Sequence, residues 1–373
     1  MLIYIILLAF VLLGGFAVLA PKGNMKKKNI IYLNLAFIAI FLIYSLRAST
    51  VGRDLPGYEE AYELSNVISF ARLGIGNFER GYLFLMWICN KFNLSFQWFL
   101  TICNAIILVP IYIFIRKYSK NVFLSTIIYI CYMFFEFNMT GLRQAIASSI
   151  VLIAITVFLE SKRYGLLKYV LIVLLATKFH SAAYAAFLYL PFHYMKKSKT
   201  YTISIACLGA FFLVARGPIM SIIKASFEKD SMNTNAGLHI GLNMVFLLAL
   251  AAVFTVSGFK REKDIQLMSF VPQGSAALLE KPMGFSDALF EKMFYLSIAL
   301  LFLFGADTAV RSYMILNQVI FVLLPNSIIN LFDKKAEKVI TGGLILFFIA
   351  FFFSNTLIGG GFDVVPYKFF WQM

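Results

Sequence analysis

The residues most able to do chemistry in this chain are arginines, one histidine and a few carboxylates set inside or beside long apolar runs. Gly141-Leu142-Arg143-Gln144-Ala145 opens an apolar helix, with Glu136 and Asn138 just before it. A cation at a helix N-terminus opposes the macrodipole. The arrangement is better satisfied when an anion binds between the two; the alternative is an arginine that snorkels to the interface. Lys178-Phe179-His180-Ser181 stands at the end of a short apolar span. A neutral imidazole there can accept a proton from a hydroxyl nucleophile, or it can hold a structural hydrogen bond. Val51-Gly52-Arg53-Asp54-Leu55-Pro56-Gly57-Tyr58 reads as a fixed bend carrying Arg53 and Asp54. Phe78-Glu79-Arg80-Gly81-Tyr82 follows in the same connection. That connection is either a solvated loop with local Arg–Asp pairs or the rim of a cavity, where aromatic rings stack on sugars and arginines grip phosphate. Arg216 precedes Gly217-Pro218, and Asp307, Arg311 and Tyr313 cluster late in the chain. Asp307 and Arg311, four apart, can also simply pair on one helical face. Taken together, these types suit the grip of an anionic group and the removal of a proton from a hydroxyl.

The elements that must position these residues are transmembrane helices. Of the 373 residues, 61% are hydrophobic and 14% charged, and the mean hydropathy is +0.83. Soluble domains carry ~25% charged residues, and no soluble fold of this length buries so much apolar surface. Spans of about 20 apolar residues are expected near 2–20, 29–46, 95–115, 121–137, 141–159, 165–177, 180–194, 200–216, 238–258, 289–304, 309–331 and 338–356. The expected fold class is therefore an all-α polytopic bundle of about twelve membrane segments, with a GT-C-like glycosyltransferase architecture as one form it can take. The pair 165–177 and 180–194 reads as a broken helix or re-entrant hairpin meeting at His180, which survives at membrane depth only inside protein or a wet cavity. Residues 81–92 read as an interfacial segment. The whole of 1–373 is expected to form one membrane domain, with outer loops near 47–80 and 217–238 and a cytoplasmic loop near 259–288.

The basic residues orient the set. Lysine-rich clusters at 22–28, 116–120, 162–168, 196–199, 260–292 and 334–338 fall on alternate connections, which the positive-inside rule makes cytoplasmic. Both termini then face outside, and the absence of a basic segment before residue 2 argues for a retained first helix. The other side holds Arg47, Arg53, Arg72, Arg80, Arg143, Arg216 and Arg311. Lysine suffices for topology, whereas the arginine fork recognises phosphate or carboxylate bidentately. An arginine excess on the disfavoured side points to an anionic ligand there. The net charge of +15 does not imply nucleic acid, because the basic residues lie between apolar runs and not on one folded surface. The four cysteines form no metal spacing, His180, His193 and His239 do not make a metal site, and there is no phosphate-binding GxxxxGK[ST] loop. No metal and no cofactor is expected.

VGRDLPGY at 51–58, FERGY at 78–82, GLRQAIA at 141–147, KFHSAA at 178–183 and AVRSYM at 309–314, in that order and on one side of the membrane, resemble the EpsG-like family of membrane polysaccharide polymerases, related in role to the Wzy polymerases. Arg53 departs from that family's pattern, which has a small or hydroxyl residue between the glycine and the aspartate. The resemblance implies glycosyl transfer at the outer face of a bacterial cytoplasmic membrane. Oligosaccharide repeat units on polyprenyl pyrophosphate would be joined into capsular, exo- or O-antigen polysaccharide, in the company of a flippase and a chain-length regulator of the same pathway. His180, Asp54 and Glu79 are then the candidates for the base. Arg53, Arg143, Gln144, Arg216 and Arg311, with Tyr58 and Tyr313, are expected to hold pyrophosphate and glycan. A glycan ligase would need the same clamp. A transporter or flippase of lipid-linked sugars should need polar groups at several depths and on both leaflets.

Overall fold

A computed structural model describes residues 1–67, 78–196, 198–227, 242–269, 285–303 and 306–372. The described chain is helical, and its contacts divide it into two compact units: residues 1–183 with 342–373, and residues 184–341. Arg72, Lys197, His239, Lys281 and the side chain of Asp307, which the sequence analysis used, lie outside the described residues.

The first unit contains α1 (Leu2–Leu19), α2 (Met25–Leu46), α3 (Leu55–Val67), α4 (Arg80–Lys91), α5 (Phe96–Tyr118), α6 (Val122–Cys131), α7 (Phe134–Thr140), α8 (Leu142–Glu160) and α9 (Gly165–Thr177). Local chemistry sets several boundaries. Asn24 caps α2 by accepting from the Lys27 amide, and Asn121 caps α6 by accepting from the Leu124 amide. Met133 takes a left-handed conformation, with φ at 58°, and there α6 and α7 bend by 53° into a broken span. A 3-10 helix, Ser181–Phe192, continues beyond α9. Twelve residues is long for that geometry, which occurs mostly in short pieces, and the break at 178–180 falls at the expected histidine. The second unit contains α10 (Ser198–Val214), α11 (Arg216–Phe227), α12 (Leu242–Ser269), α13 (Phe285–Leu303), α14 (Ala306–Asn317) and α15 (Ile320–Leu331). Helix α16 (Lys334–Phe352) starts in that unit and ends in the first.

Among the described residues, six helices are long and apolar enough to cross a membrane, and up to eight spans result if α6–α7 and α14–α15 each count as one bent span. The remaining expected segments correspond to α9, the 3-10 helix, α10 and α13. The first three are shorter apolar helices, and α13 carries Asp287, Glu291 and Lys292 in its first half. Helices α1 and α16 leave Leu2, Leu13, Phe16, Val339 and Leu346 exposed, a surface suited to lipid and not to water. Helix α8 is the opposite case: most of its apolar length is buried inside the protein. It packs on α5 and α9, so Arg143 begins the most enclosed of the six spans. Cys89, Cys103 and Cys131 are buried, as core residues should be, while Cys207 is exposed on α10.

Four sequence readings change, the first being that the expected outer loop near 217–238 opens with helix α11, Arg216–Phe227. The connection 47–80 contains a helix, α3, and Pro56 and Gly57 lie in its first turn, where proline's missing N–H costs nothing. Helix α12 runs to Ser269, so the stretch from 259 begins as helix and not as loop. Within it Arg261 is not a free topological charge. Its side chain is 3% exposed and pairs at 2.6 Å with Glu291, which is fully buried, while Tyr201 bonds both partners.

Candidate active site

The VGRD turn is held by the far end of the chain. Gly52 adopts a φ of +116°, and a Cβ there would lie 2.8 Å from the Thr140 hydroxyl, so only glycine suits the position. The Gly52 amide donates to the Asp363 carbonyl at 3.0 Å, and the Arg53 amide to the Phe362 carbonyl at 3.0 Å. Thr140 Oγ1 accepts from the Arg53 amide and donates to Phe362 O, at 3.1 and 2.9 Å. Nearby, the Ala48 amide donates to Lys368 O at 2.9 Å, and Tyr4 and Tyr367 bond Val364 O and Ile43 O. The local Arg53–Asp54 pair considered from sequence does not form. Arg53 Nε instead meets Asp363 Oδ2 at 2.9 Å, with the two side chains 64% and 62% exposed. Asp54 is half-buried just before α3, its carbonyl accepts the Tyr58 amide at 3.2 Å, and its carboxylate has no partner among the described residues.

Arg47, counted among the outer cations, is fully buried and works as a brace. Its guanidinium donates to Met139 O at 2.7 Å and to Tyr44 O. Glu136 is likewise buried. It accepts from Asn355 Nδ2 at 2.7 Å and from Thr356 Oγ1, and Gly361 abuts its carboxylate. These bonds tie α7, and through it the start of α8, to the last thirty residues.

At the start of α8, Arg143 Nη1 lies 2.6 Å from Glu79 Oε2, with the side chains 15% and 16% exposed. The guanidinium sits 4.4 Å from the Phe78 ring centre and 5.9 Å from that of Tyr58. Phe78, Tyr58 and Tyr82 contact one another, with centroids 5.5–5.9 Å apart. Glu79 thus sets a carboxylate of the protein itself against the Arg143 guanidinium. Glu79 Oε1 also accepts from the Ser181 amide at 3.1 Å, which ties α8 to the break after α9. Gly81 makes a second tie: its amide donates to Lys178 O at 2.7 Å, and a Cβ there would come within 2.6 Å of that oxygen. His180 is 6% exposed, and its Nδ1 accepts from the Ala182 amide at 3.1 Å. Gln144 is buried one residue beyond Arg143.

The first unit therefore brings together residues of VGRDLPGY, FERGY, GLRQAIA and KFHSAA. Arg216, Arg311 and Tyr313 belong to the second unit. Arg216 opens α11 half-buried, Arg311 is exposed on α14, and Tyr313 is buried with its hydroxyl taking the Asn317 amide. Among the described residues no cluster of histidine, cysteine and carboxylate side chains could hold a metal ion. Sequence reasoning missed Asp363, Thr140 and the Asn355–Thr356 pair. The one signal for them was the glycine run 359–361, which permits the close approach to Glu136.

Chemically, the arrangement offers a fixed guanidinium on an aromatic bed, a pinned imidazole and an uncommitted carboxylate. No curated protein and no solved structure matches the chain. A family model, that of the EpsG family, matches residues 30–369, nearly the whole length. The chain is a multi-pass membrane protein that belongs to the EpsG family, a family of Wzy-type polysaccharide polymerases.

Proposed function

We propose that this protein polymerises polyprenyl-pyrophosphate-linked oligosaccharide units at the outer face of a bacterial cytoplasmic membrane. The growing glycan leaves its lipid pyrophosphate and moves onto a sugar hydroxyl of the next lipid-linked unit. The product is a capsular, exo- or O-antigen polysaccharide, and a flippase and a chain-length regulator of the same pathway are the natural partners. The observation that carries the reading is the convergence of four motifs on the Arg143–Glu79 pair. An arginine fixed in a largely enclosed site suits the charge that develops on a departing pyrophosphate, because preorganised donors act most strongly where water is excluded. Arg53, Gln144 and Tyr58 are the further binding residues of this unit. Arg216, Arg311 and Tyr313 are assigned to glycan or pyrophosphate binding on their motif and on the arginine excess alone.

The test is purified protein with lipid-linked repeat units, scored for a ladder of polymer lengths. A ladder that depends on Arg143 supports the reading. Transfer of finished glycan to an unrelated acceptor without chain growth would replace it with a ligase, and lipid translocation without transfer would replace it with a flippase.

A further inference from the structure

The three candidates for taking a proton from a sugar hydroxyl, Glu79, His180 and Asp54, all lie in the first unit, and their surroundings separate them. Glu79 has both oxygens engaged, one by Arg143 and one by the Ser181 amide. Protonating it would break the ion pair that seats Arg143. His180 Nδ1 accepts the Ala182 amide. In a neutral imidazole only one nitrogen accepts, so this hydrogen bond assigns the ring proton to Nε2. A ring in that form donates from Nε2 and has no lone pair left to receive a proton. Exchanging tautomers would set Nδ1–H against the Ala182 N–H. Two donors would then face each other around a side chain only 6% exposed, which costs a buried hydrogen bond.

Asp54 is different. Its backbone is locked by the neighbouring Gly52 and Arg53 amides on the C-terminal segment, while its carboxylate has no partner among the described residues. It lies one helical turn before Tyr58: the Asp54 carbonyl accepts the Tyr58 amide at 3.2 Å, and the Tyr58 ring contacts the Arg143 guanidinium.

We propose that Asp54 is the proton acceptor of the transfer, that His180 is fixed as an Nε2–H donor, and that Glu79 is a positioning residue for Arg143. This rests on the glycosyl-transfer reading above. In the step, the acceptor hydroxyl oxygen bonds to the anomeric carbon of the donor glycan. The bond from that carbon to the pyrophosphate oxygen breaks, and its electron pair leaves with the pyrophosphate. The hydroxyl proton passes to the Asp54 carboxylate and then to solvent.

The experiment compares Asp54→Asn, Asp54→Ala, His180→Gln and His180→Ala in the polymerisation assay. Each is purified in full length and checked for monodisperse elution and for binding of the lipid-linked unit. Glutamine places an amide donor near the position of Nε2 but cannot act as a base. Asp54→Asn should lose ~100-fold or more in rate, the usual contribution of a general base, with substrate binding retained. Added formate should restore part of the rate to Asp54→Ala and none to His180→Ala. His180→Gln should keep most of the rate that His180→Ala loses. The proposal is overturned if His180→Gln is as inactive as His180→Ala while Asp54→Asn polymerises normally. It is also overturned if formate fails to rescue a folded, substrate-binding Asp54→Ala. If the wild-type protein makes no ladder, the glycosyl-transfer reading itself fails, and the two failures are told apart by that control.

Discussion

The Glu79–Arg143 pair allows a coupling to be worked out in advance. Exposed ion pairs contribute ~0–1 kcal/mol, whereas removing one member of a fully buried pair costs about 3–5 kcal/mol. These side chains are 15% and 16% exposed, nearer the buried case. Glu79→Gln keeps an oxygen for the Ser181 amide but turns an NH2 group toward the guanidinium. It should destabilise the protein by about 2 kcal/mol, less than a fully buried break because Phe78 still shields the cation and some water reaches the site. Arg143→Gln should cost a similar amount. The double variant should cost well under the sum, giving a coupling energy of roughly 1.5–2 kcal/mol. The assay is unfolding of all four proteins in one detergent under one protocol. A coupling below about 0.5 kcal/mol would place the pair with ordinary surface contacts and refute the argument that Glu79 seats Arg143. Normal stability of Glu79→Gln together with abolished transfer would make Glu79 the base.

Arg143→Lys keeps the charge and loses the fork; it should fold normally and lose ~100-fold or more in polymerisation rate, and normal activity at matched expression would make Arg143 structural. Gly52→Ala combines a positive φ with a Cβ placed 2.8 Å from Thr140; it should cost about 1–3 kcal/mol, and an unaltered unfolding midpoint would argue against the turn as described. Asp363→Asn removes the carboxylate charge from an exposed pair with Arg53; if Arg53 binds pyrophosphate, KM for the lipid-linked unit should fall, and an unchanged or higher KM removes Arg53 from the binding set. Cysteines introduced near residue 60 should react with impermeant reagent in intact cells and those near 27 should not; labelling at 27 would reverse the orientation.

Much of the first unit was legible because a bilayer leaves a strong imprint on sequence. Backbone groups in hydrocarbon must be satisfied within their own segment, so long apolar runs map onto helices, and the break at His180 showed as two runs too short to cross. The bend at 51–54 was legible from Gly52. Helix α3 was not, because Pro56 and Gly57 read as turn residues when seen without their position in the first turn. The residues that organise the site were hidden for another reason. Asp363 lies 310 residues from Arg53, and Thr356 lies 220 from Glu136. No periodicity links residues so far apart, and an aspartate in a short tail carries no signal of its partner. Arg261 was misread for a different reason: a cation in a basic cluster looks topological until its buried carboxylate, Glu291, is seen.

Charge balance then separates the roles of the two site arginines in the first unit. Each faces a carboxylate, Arg53 that of Asp363 and Arg143 that of Glu79, so under the proposed function an incoming pyrophosphate would meet cations already partnered. The Arg53 pair is about two-thirds exposed on both sides. Water screens it, so an anion of higher charge can displace Asp363 at little cost. The Arg143 pair is mostly enclosed, and separating it would leave Glu79 charged and poorly solvated. Under the proposed function, Arg143 would act with its orientation held by Glu79 throughout the reaction, while the exposed Arg53–Asp363 pair would open as substrate enters and re-form as it leaves. A fixed donor stabilises charge as it develops without reorganising, and a movable one lets the product depart.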